Sequence, residues 1–276
     1  MEETPTGEAA ATLESSVLSE LPRPTRAPKR PKVSLVVPAV NEAKNISWVL
    51  MHVPDSVDEI VLVDGDSKDG TVEVARRIRP DIVCAKDPGG GKGAALRAGF
   101  AAATGDYIVM MDADGSMDPV EIDRYISMLD NGYDLVKGSR FMSGAGSTDI
   151  TWLRRTGNAA LLLMVNKLFG QHLTDLCYGY CGFRKECLPD MSLASDGFEI
   201  ETEITVQAFN AGLRVAEVPS METPRGHGES NLNTWGDGTR VLRLLVAGWL
   251  TPSRRRQSAL PPLRESLVID LTDDEL

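Results

Sequence analysis

Cysteine is scarce in this chain of 276 residues: Cys84, Cys177, Cys181 and Cys187 are the four present. They lack paired C-x-x-C spacing and interleaved histidines, so thiols rather than structural metal ligands are expected. Such thiols fit a reducing cytosol. A basic excess is also missing. The net charge of −11 argues against bulk nucleic-acid binding and leaves no nucleic-acid partner expected, although a local site can oppose the global charge. No long apolar run occurs either. The longest, Ala159 to Val165, is far shorter than the roughly 20 residues that cross a bilayer. The opening Met1, Glu2, Glu3 has no early apolar stretch, so no signal peptide is expected. These absences predict a soluble or peripheral protein. The expected location is cytoplasmic, with attachment to the cytoplasmic membrane face as a further expectation.

What is present reads as one large domain. Hydrophobic residues make up 42% of the chain, enough for a sizeable core. Residues 1–31 are rich in Glu, Thr, Pro and Arg without sustained periodicity and are expected to be a disordered leader. Residues 251–276 carry Arg254, Arg255 and Arg256, then prolines, then an acidic end, and are expected to be a mostly disordered tail. Between them, residues 32–250 alternate. Apolar runs predict buried strands at Val33–Val37, Glu59–Val63, Asp81–Ala85, Tyr107–Met111 and Tyr133–Val136. Helices are predicted at Ala43–Met51, Thr71–Ile78, Gly93–Ala103 and Pro119–Leu129, the last opened by an Asp118 cap and a first-turn proline. Repeated strand–helix units of this size imply an α/β fold with a mainly parallel central sheet flanked by helices. Ligands of such sheets lie beyond the carboxyl ends of the strands.

Polar clusters fall at those ends. They are Pro38–Glu42 after the first strand, Asp64–Thr71 after the second, Gly89–Gly93 after the third and Asp112–Gly115 after the fourth. Helix capping by Ser67 or Asp69 accounts for part of one cluster but not for the other three. Asp112 and Asp114, two apart at a strand end, share a face and can address one cation. Carboxylate oxygens favour Mg2+ or Mn2+ bridging to substrate phosphates. The glycine-rich stretch is not a P-loop, because Gly93 stands where Ser or Thr would bind magnesium. It also lacks the glycine order of a dinucleotide fingerprint. A close approach to the ligand is expected there, with Lys92 able to reach a phosphate.

Four ordered motifs resemble family 2 glycosyltransferases of the GT-A fold. They are Val36-Val37-Pro38-Ala39-x-Asn41-Glu42, Val63-Asp64-Gly65-x-Ser67-x-Asp69-Gly70-Thr71, Gly91-Lys92-Gly93-x-Ala95 and Asp112-Ala113-Asp114. Later segments are similar to the dolichol- or polyprenyl-phosphate mannose and glucose synthase branch: Gly138-Ser139-Arg140, Asp175-x-x-x-Gly179-Tyr180, Gly182-Phe183-Arg184, Gly197-Phe198-Glu199-Ile200-Glu201 and Arg225-x-x-Gly228-Glu229-Ser230. The resemblance implies a single nucleotide-sugar-binding domain. It places Pro38, Asn41, Glu42, Asp64, Asp66, Lys92, Asp112, Ala113 and Asp114 at the donor, and Asp112 and Asp114 on the metal. It places Arg140, Arg225 and Ser230 near phosphates, and makes Asp175, Asp114 and Arg140 the catalytic candidates. Ser116 and Asn231 depart from that branch, which often has Gln and Lys there, and no pair of membrane helices follows.

The implied chemistry is metal-dependent transfer of a hexose, with inversion, from a nucleoside-diphosphate sugar (GDP-mannose or a UDP-sugar) to an acceptor. A polyprenyl phosphate at a membrane surface is the expected acceptor. That acceptor is already ionised and needs cations, whereas an alcohol would need a general base, for which Asp175 is the candidate. Glu199 and Glu201 are read either as helix-start acids or as site residues. The loop Glu222–Asn233 is expected to act as a lid, with Arg225 its strongest cation. Gly238–Leu250 is amphipathic and expected to pack on the core. The alternatives are a soluble glycosyltransferase for a small-molecule or natural-product acceptor, and an inactive sugar-nucleotide-binding protein. Oligomeric state is not predicted.

Overall fold

The computed structural model describes residues 30–228 and 234–251. Residues 1–29 of the predicted leader and 252–276 of the predicted tail, together with Ser230 and Asn231, therefore lie outside the described residues. One compact unit begins at Lys32.

Seven strands form the main sheet in the order β3-β2-β1-β4-β7-β5-β8. They are β1 (Val33–Ala39), β2 (Glu59–Asp64), β3 (Val83–Lys86), β4 (Tyr107–Met110), β5 (Leu135–Ser139), β7 (Cys181–Arg184) and β8 (Val215–Pro219). β1 pairs in parallel with β2 and β4, and β5 with β8. β7 alone runs antiparallel, inserted between β4 and β5. The run Val33–Val37 is buried throughout, as a strand covered on both faces must be. Beside this sheet, β6 (Gly146–Ser147) and β9 (Met221–Glu222) form a short parallel pair.

Helices α1 (Ile46–His52), α2 (Thr71–Ile78) and α4 (Ile122–Asp130) belong with one apolar layer, built on Leu35, Val37, Leu62 and Val109. α3 (Lys92–Ala102) and α6 (Ile200–Asn210) belong with the other, built on Val36, Val61, Val63 and Ile108. A third cluster joins α5 (Trp152–Phe169), α6 and α7 (Thr234–Leu250) through Val165, Val206, Val241 and Leu245. The amphipathic reading of 238–250 thus holds on its Val241/Leu245 face.

The predicted segments match, with local differences. The first helix begins at Ile46 rather than Ala43. The Asp118 carboxylate does cap its helix, accepting the Val120 N–H at 3.0 Å, but Pro119–Glu121 is a 3-10 turn before α4 starts. β7 and β8 have no counterpart in the sequence reading.

Candidate active site

The polar clusters meet where topology requires, at the carboxyl ends of β1, β2 and β4. The clusters after β1, β3 and β4 line a cavity of about 510 Å³, to which β2 contributes Val63. Its donor-side lining includes Pro38, Glu42, Lys92, Asp112, Ala113 and Asp114. The far side includes Arg140, Asp149, Tyr178, Glu201, Glu222 and Arg225.

Asp112 and Asp114 lie beyond β4, which ends at Met110. The turn, not an extended strand face, brings them together, which corrects the strand argument. Asp114 Oδ1 accepts the Ser116 N–H at 2.9 Å, and its main-chain oxygen accepts the Gly226 N–H at 3.0 Å. Both carboxylates have cations beside them. Lys92 Nζ is 2.5 Å from Asp112 and 2.7 Å from Glu201. Arg225 is 2.7 Å from Glu42 and 3.6 Å from Asp114. Burial would push the Lys92 ammonium down, but Asp112 and Glu201 hold it well above its ordinary value. Lys92 lines the cavity and is held there by the chain's own acids, as Arg140 is on the other wall by Asp175 and Glu222. Glu201 lines the cavity, whereas Glu199 Oε1 accepts the nearby Gly197 N–H at 3.3 Å. Burial raises the Glu42 carboxyl above its ordinary 4.5, opposed by Asn45 and Arg225.

The glycines have a packing role of their own. Gly93 donates its N–H to Asp196 O at 2.7 Å, and a Cβ there would collide with Ser195 O. A Cβ on Gly91 would sit 2.7 Å from Asp196 O. The glycines let this loop pack tightly on the chain's own 195–196 segment, while Gly91 and Lys92 also line the cavity. Asn41, Asp64 and Asp66 stand beside the cavity rather than among the residues lining it. Asn41, at a positive φ of 56°, ties two loops together, its Oδ1 accepting the Lys68 N–H at 2.8 Å. Asp66 pairs with Lys68 at 2.6 Å on the surface. Asp64 differs: its Oδ2 accepts the Ser67 N–H at 3.2 Å, while its Oδ1 is buried without a partner beside lining residue Val63. An orphaned acceptor of that kind suits a ligand N–H or O–H.

Behind the far wall stands a buried carboxylate chain. Asp175, fully buried, takes Arg140 Nε at 2.7 Å, Nη2 at 3.1 Å and the Arg140 N–H at 3.2 Å. Arg140 Nη1 reaches both Glu222 oxygens at 3.1 Å, and its guanidinium lies 4.8 Å over the Tyr178 ring. Asp175 is itself set by Glu217, which accepts the Asp175 N–H at 3.0 Å and the Thr174 N–H at 2.7 Å. With both oxygens on Arg140, Asp175 does not stand as a base in this arrangement; it fixes a cation. Sequence reasoning missed Glu217 and Glu222, because the Asp175 and Arg140 they meet are 42 and 82 residues away. Cys177, also on the wall, is no nucleophile: burial, then Asp175 and Glu201, push its thiol up to about 12.

Fold and site together define a class: a GT-A-type glycosyltransferase. The family model described as Glycosyl transferase family 2 matches residues 34–191, and the chain belongs to that family. Among its relatives, the glycosyltransferase AglJ of Haloferax volcanii is 34% identical over 209 residues, covering 75% of this chain and 68% of that protein. The polyprenol monophosphomannose synthase of Mycolicibacterium smegmatis is 32% identical over 245 residues, covering 82% and 88%. The likeness to the polyprenyl-phosphate sugar branch read from the late motifs is borne out. A crystal structure of glucosyl-3-phosphoglycerate synthase from Mycobacterium tuberculosis with Mn2+, UDP and phosphoglyceric acid superposes with a TM-score of 0.64 at 23% identity, covering 80% of each chain. That similarity is one of fold.

Proposed function

We propose that the chain transfers a hexose, with inversion and with the help of a divalent cation, from a nucleoside-diphosphate sugar to a polyprenyl phosphate. The observation that carries the acceptor is the Asp175–Arg140 clamp. The far wall offers a fixed cation and a carboxylate already committed to it, which suits an acceptor that arrives ionised and needs positioning, not deprotonation. The same cavity that Arg140 lines is also lined by Ile150, Leu153, Leu161 and Val241, an apolar surface of the kind a prenyl chain requires. The relative that synthesises polyprenol monophosphomannose points the same way.

On the donor side, Asp64 is assigned to the nucleoside, with Pro38 and Glu42 at the pocket edge. Asp112 and Asp114 would hold Mg2+ or Mn2+. Two carboxylates fit such an ion because the remaining positions fall to phosphate oxygens, and among the described residues no set of three or more metal-ligating side chains competes. When bound, the cation neutralises charge on the departing diphosphate. Lys92 and Arg225, already beside these carboxylates, keep the site compact and electrostatically balanced. The cavity presents no activated nucleophile, so direct displacement follows. Peripheral membrane contact fits the exposed Trp152 and Leu163 on α5 and Trp249 and Leu250 on α7. No described helix is long and apolar enough to cross a membrane.

The test is a donor screen, GDP-mannose and UDP-sugars with Mn2+ or Mg2+, against a polyprenyl phosphate. Released nucleoside diphosphate and labelled sugar in the organic phase are the readouts. Label that enters only a water-soluble acceptor would favour the soluble-acceptor alternative. Donor binding without any turnover would favour an inactive binder.

A further inference from the structure

One polar side chain on the apolar wall is assigned by none of the motifs. Asn158, on α5, is 5% exposed and lines the cavity. Its Oδ1 accepts the N–H groups of Leu176, at 3.3 Å, and Cys177, at 3.1 Å. Backbone amides can only donate, so chemistry fixes which end of this amide is oxygen. The Nδ2 group is therefore the end left for the cavity, and no hydrogen bond to a described residue occupies it. The amide nitrogen is not among the fully buried polar atoms left without a partner, so it keeps access to the cavity and can donate to an oxygen of a bound ligand.

The segment 174–178 links this amide to the clamp. Asp175 grips Arg140, and the next two main-chain N–H groups hold Asn158. A charged donor and a neutral one are thus anchored to the same few residues. Leu153, Leu161 and Val241 share the cavity wall with Asn158. We infer that Asn158 donates a hydrogen bond to an oxygen of an acceptor phosphate monoester. It thereby selects, together with Arg140, a phosphate carried on an apolar chain. This rests on the acceptor reading above and names a residue that determines its specificity.

Asn158→Asp is the decisive substitution. One carboxylate oxygen can still accept from Leu176 and Cys177, while the other replaces the donor with an anion facing the phosphate. The full chain is assayed with three probes: farnesyl phosphate, 3-phosphoglycerate and farnesol. For Asn158→Asp, the acceptor KM for farnesyl phosphate should rise at least about ten-fold, roughly the loss of one such hydrogen bond. Donor Kd should stay within about two-fold and Tm should be nearly unchanged, both separable from a structural effect. A matching rise for 3-phosphoglycerate would identify a free phosphate as an alternative source of the same oxygen. If the wild type uses farnesyl phosphate and Asn158→Asp leaves its KM alone, the inference falls and the acceptor reading stands. If the wild type glycosylates only farnesol, both fall. Should the variant not fold, the Asn158 Nδ2 resonances of 15N-asparagine-labelled wild type serve instead. A shift with farnesyl phosphate but not farnesol supports the contact, and no shift overturns it.

Discussion

Asp114 and Glu217 do different work at two depths. Asp114 faces the cavity from a turn, and its side chain contributes one local hydrogen bond to Ser116. Asp114→Ala should therefore abolish cation-dependent turnover, by about a hundred-fold or more, while the melting curve stays close to wild type. Full activity in a folded Asp114→Ala protein would remove the donor-site assignment. Glu217 touches no cavity space but sets Asp175, and through it Arg140. It is a positioning residue. Glu217→Gln should cut acceptor kcat/KM by about ten-fold with donor Kd unchanged, since a supporting partner tunes orientation more than affinity for the other substrate. Burial raises its carboxyl above the ordinary 4.5, against the Asp175 and Thr174 N–H groups that lower it. The folded state therefore binds that proton more tightly than the unfolded chain. The associated stability is full below 4.5 and is lost as pH rises through the folded value. Glutamine has no such titration, so the Tm deficit of Glu217→Gln should be largest in acid and shrink toward neutrality. A deficit that grows with pH would contradict this account.

The start of α3 is where an element, rather than a residue, shapes the site. Its glycines read in sequence as a ligand loop, but the 195–196 backbone occupies the space beside Gly93. Backbone cannot yield as a flexible side chain can. Gly93→Ala should destabilise by about 1–3 kcal/mol, a Tm loss of several degrees. Gly157→Ala, on α5 with nothing within 4 Å of a new Cβ, should instead raise Tm slightly through helix propensity. Differential scanning calorimetry of the pair checks both signs. The strand β7 teaches a related lesson. Its four residues, Cys181–Arg184, are too short for a periodic signal, and their antiparallel pairing with β4 and β5 depends on partners about 45 to 75 residues away. That insertion separates β4, with the carboxylate turn at its end, from β5, with Arg140 at its end, and so gives the cavity its width.

For the whole molecule, α5 and α7 pack through Val165, Val241 and Leu245 yet leave Trp152, Leu163, Trp249 and Leu250 exposed. With a net charge of −11, attraction to anionic lipid is not the expected driving force. Apolar insertion is. Wild type should co-sediment with phosphatidylcholine vesicles, and Trp249→Glu should weaken that binding several-fold without changing turnover on a short, soluble acceptor. Equal sedimentation of the two proteins would leave that face without a membrane role. The sequence by itself determined the strand–helix alternation, the parallel half of the sheet and the gathering of polar clusters at its carboxyl edge, because apolar periodicity and turn chemistry are local. It also marked Asp64, Asp112, Asp114, Arg140 and Glu42 as donor- or phosphate-side residues, which lie in or beside the cavity. Only the tertiary structure decided that Lys92 is held by Asp112 and Glu201, that Asp175 serves Arg140 under the control of Glu217, and that the Asn158 oxygen is fixed on the Leu176 and Cys177 amides. Those arrangements join residues far apart in the chain. A carboxylate's role is set by which cation or amide meets it in a buried setting, and spacing along a sequence carries no record of that meeting.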